Sequence, residues 1–422
     1  MVLLKIFIFL ETVVLVLIAM RKNPDIFSPA KFYLLFSVFF YLNIYVADVK
    51  IETLMCYFIL IQIVGICALL EKKLPYKLNI NSDSILSYEA VLWGLTLPPL
   101  IIMYSYINDA GGVLEYLGIL ALRVQAWSGQ GPLTMVLNWM PTINLVYFGY
   151  FISNKDKGFY KKFRYALHFA LFVLIGLLTG SRSYVGISIL GMVVVWAYVK
   201  GLPKTRNIVL VAFVLTVFAG YMGAVRNTYG EGMTFDSLAN SLAASNFEGA
   251  QMSYGVDPLE IIFSTPEKPP LLGLTYLTLA TNLIPRYYWP SKPDTGGLIF
   301  TKEYTDDQSG LSFYATGAIT EAIMNFGKIA GLGFGIFEIL ILFISGSLAY
   351  NKYFCIMIKN GGSVSILFII GFYYLILSFS KISYGEFTDV FQALFMFNLL
   401  PLILISFFLR LKGASRIKVG MK

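Results

Sequence analysis

The sequence predicts an all-α polytopic membrane protein of about eleven transmembrane helices with one large extracytoplasmic loop. Composition is the first reason: of 422 residues, 57% are hydrophobic, 16% aromatic and only 13% charged. A soluble domain carries roughly 25% charged residues. Apolar runs long enough to cross a bilayer are the second reason. The third is that loops rich and poor in Lys and Arg alternate along the chain. A mean hydropathy of +0.72 agrees. Together these exclude a soluble enzyme, a disordered chain and a disulfide-stapled secreted domain. The three cysteines, Cys56, Cys67 and Cys355, have no C-x-x-C spacing, so they read as small apolar side chains.

A bilayer core of about 30 Å needs about 20 apolar helical residues. On that ruler the spans fall near 2–20, 32–47, 53–70, 85–107, 132–153, 165–180, 183–200, 207–225, 329–350, 363–380 and 393–411. The first is followed by Arg21-Lys22-Asn23-Pro24 and by no small-residue cleavage site, so it reads as a retained span. The runs are too long and unbroken for barrel strands.

Lys and Arg set the orientation. Loop 21–31 holds Arg21, Lys22 and Lys31, and loop 154–164 holds Lys155, Lys157, Lys161, Lys162 and Arg164. The intervening loops on the other side hold single residues such as Lys50 and Arg123. The positive-inside rule therefore places the N-terminus outside, and the basic tail from Arg410 in the cytoplasm. It also puts the long loop outside. The chain then divides into spans one to eight (1–225), an extracytoplasmic loop with short helices (226–316), and spans nine to eleven with the tail (317–422). The apolar stretch Leu271–Pro285 is too short to span and reads as a re-entrant or interfacial helix.

The outer side is poor in basic residues yet carries Arg123, Arg182, Arg226 and Arg286. Three lie near span ends beside Gly, Ser or Thr. A guanidinium fork suits phosphate oxygens; it also suits snorkelling or pairing with a carboxylate. Residues 226–316 hold ten acidic and five basic side chains, so the arginines belong to no basic carpet. That argues against nucleic acid and for a focused anion site. Glu11 and Glu338 fall inside spans and read either as proton-coupling groups or as hydrogen-bonded structural carboxyls. His168, the single histidine, reads as a core residue. With no H-E-x-x-H and no Walker-type loop, neither a metal nor a nucleotide cofactor is expected. Asp306-Asp307 reads as a solvated pair rather than a Mg²⁺ site.

The stretch Ile284-Pro285-Arg286-Tyr287-Tyr288-Trp289-Pro290-Ser291-Lys292-Pro293-Asp294-Thr295-Gly296-Gly297 is followed by Phe313 to Gly327, which contains Ala315-Thr316-Gly317 and Glu321-Ala322 through Asn325-Phe326-Gly327. These segments resemble the bacterial O-antigen polymerase family, the Wzy-type polymerases of oligosaccharide repeat units. The Thr179-Gly180-Ser181-Arg182 turn and the ten residues between Arg286 and Gly297 fit the same pattern. The layout covers most of the chain; the residue-level match covers about 45 residues and the turn.

The resemblance implies a GT-C-like glycosyltransferase in the bacterial inner (plasma) membrane, active on its periplasmic face. Its substrates would be glycan repeats on undecaprenyl diphosphate, with undecaprenyl diphosphate released. Membrane lipids, a chain-length regulator and a flippase of the same pathway are the implied partners. Arg286 would stabilise the leaving diphosphate. Glu321, then Asp294, are the candidates for the base. Arg123, Arg182, Arg226 and Lys292 would contact diphosphate or glycan. Tyr287, Tyr288, Trp289 and Tyr314 suit sugar faces or an interfacial belt, and Asn325 completes the binding set. One rival is an O-antigen ligase, which usually relies on a histidine in the outer loop; this loop has none. The other, of a different class, is a flippase or transporter of lipid-linked oligosaccharides, with Glu11 and Glu338 as coupling groups.

Overall fold

The computed structural model describes residues 1–40, 44–45, 48–73, 88–118, 127, 130–154, 158–201, 256–282, 284, 286–305, 307, 314–354, 365–382 and 385–419. Among these, all regular structure is helical. In chain order the helices are α1 Val2–Lys22, α2 Pro29–Phe40, α3 Ile51–Leu70, α4 Tyr88–Asp109, α5 Val113–Gly118, α6 Gly131–Leu137, α7 Met140–Ser153, α8 Phe159–Leu178 and α9 Arg182–Lys200. Then follow α10 Asp257–Ser264, α11 Leu274–Thr281, α12 Gly296–Tyr304, α13 Ala318–Phe326, α14 Lys328–Ala349, α15 Ile366–Lys381, α16 Phe387–Gln392 and α17 Leu400–Val419. π-helical turns at Tyr350–Phe354 and Ala393–Leu399 follow α14 and α16.

Five of these stretches are long and apolar enough to cross a membrane: Val2–Lys22, Ile51–Leu70, Tyr88–Asp109, Lys328–Lys352 and Phe387–Leu411. The protein is thus a helical, membrane-embedded chain. Other expected spans differ for identifiable reasons. The one near 132–153 is split, because the chain turns at Asn138-Trp139 and restarts with Pro141 in the first turn of α7. The one near 165–180 begins early, and its first turns carry Lys161, Lys162 and Arg164. α9 and α15 are apolar but shorter. The expected span 207–225 lies outside the described residues. Val2 and Leu3 on α1 and Ile101 on α4 are more than half exposed, which fits helices that face lipid.

The chain forms two compact units. The first comprises Met1–Pro75, Gln251–Gly362 and Tyr374–Leu394; the second comprises Tyr76–Ala250, Ser363–Tyr373 and Phe395–Lys422. Both are assembled from separated segments of sequence.

In the first unit, α3 is the central helix, with α1, α2, α10 and α14 against it. α13 and α14 form a tight hairpin. Gly327 turns the chain between them at φ +82°, a left-handed value that suits glycine. Gly331 and Gly335, one turn apart on α14, lie against the α13 backbone. A Cβ at Gly331 would fall 2.3 Å from the Ala322 carbonyl oxygen. This is small-residue packing, in which backbones approach because no side chain intervenes.

A buried polar knot lies within this unit. Lys31 Nζ lies 3.6 Å from Glu71 Oε2, both side chains fully buried. The Ala30 N–H donates to Glu71 Oε1 at 2.9 Å, and the Tyr350 hydroxyl donates to Asp25 at 2.8 Å. Burial raises the Glu71 carboxyl to about 6, with the Lys31 charge opposing. Lys31, counted among the basic residues of loop 21–31, is therefore an internal partner inside α2.

In the second unit, α7 packs on α4, α8 and α9. Trp139 Nε1 donates to the Met396 carbonyl at 2.9 Å and Thr142 to Phe397 O at 3.3 Å. Those acceptors lie in the π turn, where wider winding leaves carbonyls for side chains. His168 is a core residue, as expected: its ring nitrogens lie 3.0 Å from Thr96 Oγ1 and 3.2 Å from Asn144 Oδ1.

Candidate functional site

The two stretches that carry the resemblance, around Ile284–Gly297 and Tyr314–Gly327, are linked in the first unit through α12 and Thr275. The Tyr314 N–H donates to Thr301 Oγ1 at 3.0 Å, and the Tyr314 ring packs against Phe300 at 5.7 Å. Thr301 and Phe300 belong to α12, which begins at Gly296. Thr275 of α11 touches both: its methyl lies 3.5 Å from where a Gly296 Cβ would be, and its hydroxyl donates to Glu321.

The first part of the site is a cationic turn. Arg286 is held by its own loop: Nη1 donates to Pro290 O at 3.2 Å and to Lys292 O at 3.3 Å. Its Nη2 pairs with Asp294 Oδ1. Asp294 Oδ2 pairs with Lys302 Nζ at 2.9 Å. Lys292 Nζ donates to Ile284 O at 2.9 Å. Burial, with Arg286 beside it, holds the Lys292 ammonium below its ordinary value, while Asp294 opposes. Tyr287 and Tyr288 project from the turn, 88% and 77% exposed, with their rings edge to face. Their large exposed faces suit a sugar or the lipid headgroup layer. Trp289 is half-buried.

The second part is a buried carboxyl centre. Glu321 lies in the first turn of α13 and is fully buried. Its Oε1 accepts from Thr275 Oγ1 at 2.8 Å and from Thr388 Oγ1 at 3.3 Å. Its Oε2 accepts from the Phe387 N–H at 2.6 Å, at the start of α16. Burial nonetheless dominates and raises the carboxyl to about 7. Glu386, one residue before Phe387, is buried beside it. Burial, then the Glu321 charge, push its carboxyl well above the usual range. Gly296 and Gly297 at the start of α12 face Glu386 and favour its charge. Neither Glu386 oxygen receives a well-formed hydrogen bond among the described residues. A Cβ at Gly296 would sit 3.0 Å from Glu386 Oε2, so a larger residue would press on that carboxyl.

The expected site residues separate by role. Asn325 is fully buried, and its amide is engaged internally: it donates to Thr275 Oγ1 at 2.6 Å and to Glu321 O at 2.8 Å. It positions Thr275 and Glu321. Asp294 has both oxygens on cations, Arg286 and Lys302. Arg182 is the first residue of α9, in the second unit. Arg123 and Arg226 lie outside the described residues. The in-span carboxyls have neutral partners: Gln62 Nε2 donates to Glu11 at 2.7 Å, and the Tyr276 hydroxyl donates to Glu338 at 3.2 Å. Asp307 is described and Asp306 is not; no metal-holding acidic group occurs among the described residues.

Sequence reasoning missed Thr275, Lys302, Glu386 and Thr388. Glu386 had a usable signal, since it is an acidic residue just before a long apolar stretch. The threonines had none, because a buried hydroxyl acquires its role only from the carboxylate it meets.

Compared with protein-family models, with curated proteins and with solved structures, the chain matches none.

Proposed function

We propose that this protein is a membrane glycosyltransferase that joins glycan repeats carried on a polyprenyl diphosphate. One observation carries the reading: the cationic turn around Arg286 and the buried carboxyl Glu321 are linked within one unit through α11, α12 and Glu386. An anion-stabilising group and a group of near-neutral affinity for protons are what this chemistry asks for.

In this reading the acceptor sugar hydroxyl attacks the anomeric carbon of the donor glycan. The new C–O bond forms as the bond to the diphosphate breaks, and the electron pair leaves with the diphosphate. Arg286, with Lys292, stabilises that growing charge. Glu321 takes the hydroxyl proton; its three donors leave one acceptor position on a carboxylate with about four, and a value near neutrality suits a base. Tyr287, Tyr288 and Trp289 offer faces for sugar rings. The sugar arrives activated, so the scheme needs no nucleotide. The reading takes the full set of eleven spans, a GT-C-like arrangement and the cationic turn on the outer face of a bacterial plasma membrane. The spans come from the apolar runs, the sidedness from the charge pattern, and the GT-C-like arrangement from the family resemblance.

Reconstitution in liposomes with a defined undecaprenyl-diphosphate-linked repeat tests it. A glycan ladder without nucleotide is the expected product. Transbilayer movement of the repeat without a ladder would instead favour a flippase.

A further inference from the structure

We propose that Asp294 is an internal stand-in for a phosphate group: it occupies the seat between Arg286 and Lys302 that a substrate diphosphate takes, and gives it up when the diphosphate binds. The proposal deepens the reading above and rests on it for the identity of the ligand. It adds Lys302 to the anion site and gives Asp294 the role of a competitor.

The geometry is that of a bridged anion. One carboxylate oxygen meets Arg286 Nη2 and the other meets Lys302 Nζ at 2.9 Å. Two non-bridging oxygens of a phosphate would engage the same two cations in the same way. The seat is built to remain when its occupant leaves. Arg286 keeps its two loop carbonyl partners, and Lys302 rides on α12. Lys292 is tied to Ile284 O beside them. Three cations thus surround one carboxylate, an excess of positive charge in an otherwise acidic loop.

Access and energetics agree. The side chains of Arg286, Lys302 and Asp294 are 44%, 39% and 26% exposed. Exposed ion pairs of this kind are weak, so the carboxylate is readily displaced by a ligand of higher charge. Asp294 lies in the irregular stretch before α12 and moves by its own short side chain. The α12 N-terminus cannot supply the seat, since Gly296 and Gly297 are turned toward Glu386.

The sign of one substitution distinguishes this role from the alternatives. If Asp294 merely held Arg286 in place, its loss would weaken anion binding at the site. As a competitor, its loss strengthens the site. The test is titration of the detergent-solubilised full chain with inorganic pyrophosphate and, separately, with farnesyl diphosphate, in metal-free buffer. Asp294→Asn should bind pyrophosphate about fivefold tighter, the effect of removing one like charge near 4 Å in water. Lys302→Gln should bind it several-fold more weakly, with a shallower dependence on salt. Unchanged or weaker binding by a folded Asp294→Asn overturns the proposal. So does unchanged binding by Lys302→Gln, which stands as the test should the first variant not fold. If Asp294→Asn strengthens pyrophosphate but the prenyl diphosphate binds no tighter than pyrophosphate, the stand-in role holds and the lipid-linked substrate reading fails.

Discussion

The Phe387 N–H donates to Glu321 Oε2 at 2.6 Å, joining residues 66 apart in sequence. The contact ties the first turn of α13 to the start of the last strongly apolar helix. With two threonine hydroxyls as further donors, it also explains why a carboxylate is tolerated there.

Glu321→Ala should therefore strand three buried donors. An unsatisfied buried polar group costs roughly 1–3 kcal/mol, so a loss of at least about 3 kcal/mol is expected. Thermal unfolding in detergent measures it. Glu321→Gln keeps acceptor capacity on one oxygen and should lose less stability, yet should lose the glycan ladder if the carboxylate accepts the proton.

Stability and activity should move oppositely with pH. The Glu321 carboxyl rises from an ordinary 4.5 to about 7 in the fold. The folded chain therefore holds this proton more tightly than the unfolded chain. The resulting stabilisation is fully present below about 4.5 and is lost as pH rises through about 7. Glu386 shifts in the same direction. The melting temperature should fall between pH 5 and pH 8, and less so in Glu321→Gln. The polymerisation rate should rise across the same interval, as the base is freed.

Gly331→Ala should separate α13 from α14. The new methyl would lie 2.3 Å from a backbone carbonyl and 2.4 Å from the Ile323 Cα, and neither atom can step aside as a side chain does. Overpacking of this kind costs typically 1–3 kcal/mol, and more where the obstacle is backbone. Gly333→Ala, which meets nothing within 4 Å, is the control and should melt like the parent.

Arg286→Ala should abolish elongation while leaving single repeats on the outer leaflet. Removal of one transition-state donor typically costs about 10²- to 10³-fold. Arg286→Lys should recover little, because an ammonium cannot satisfy two loop carbonyls and an anion in one plane. Gel analysis of lipid-linked glycans gives the readout.

Sidedness is open to direct measurement. A cysteine placed at Tyr287, which is 88% exposed, should react with a membrane-impermeant maleimide from outside intact cells, in a chain stripped of its native cysteines. Reaction only after permeabilisation would place the turn in the cytoplasm and end the proposed scheme.

The sequence by itself determined that the chain is helical and membrane-embedded. Apolar runs such as Ile51–Leu70 and Lys328–Ala349 leave the backbone no other way to satisfy its polar groups in lipid. It also marked Arg286, Lys292 and Glu321, because charges are conspicuous in so apolar a chain. Local pattern did not show where helices break, as at Asn138-Trp139, nor that Lys31 turns inward to Glu71. Only the tertiary structure decided which charges meet. Glu386 against Gly296, and Thr275 and Thr388 on Glu321, are pairings across many residues of chain. Each depends on how separated helices pack, and hydropathy and charge counts carry no record of that.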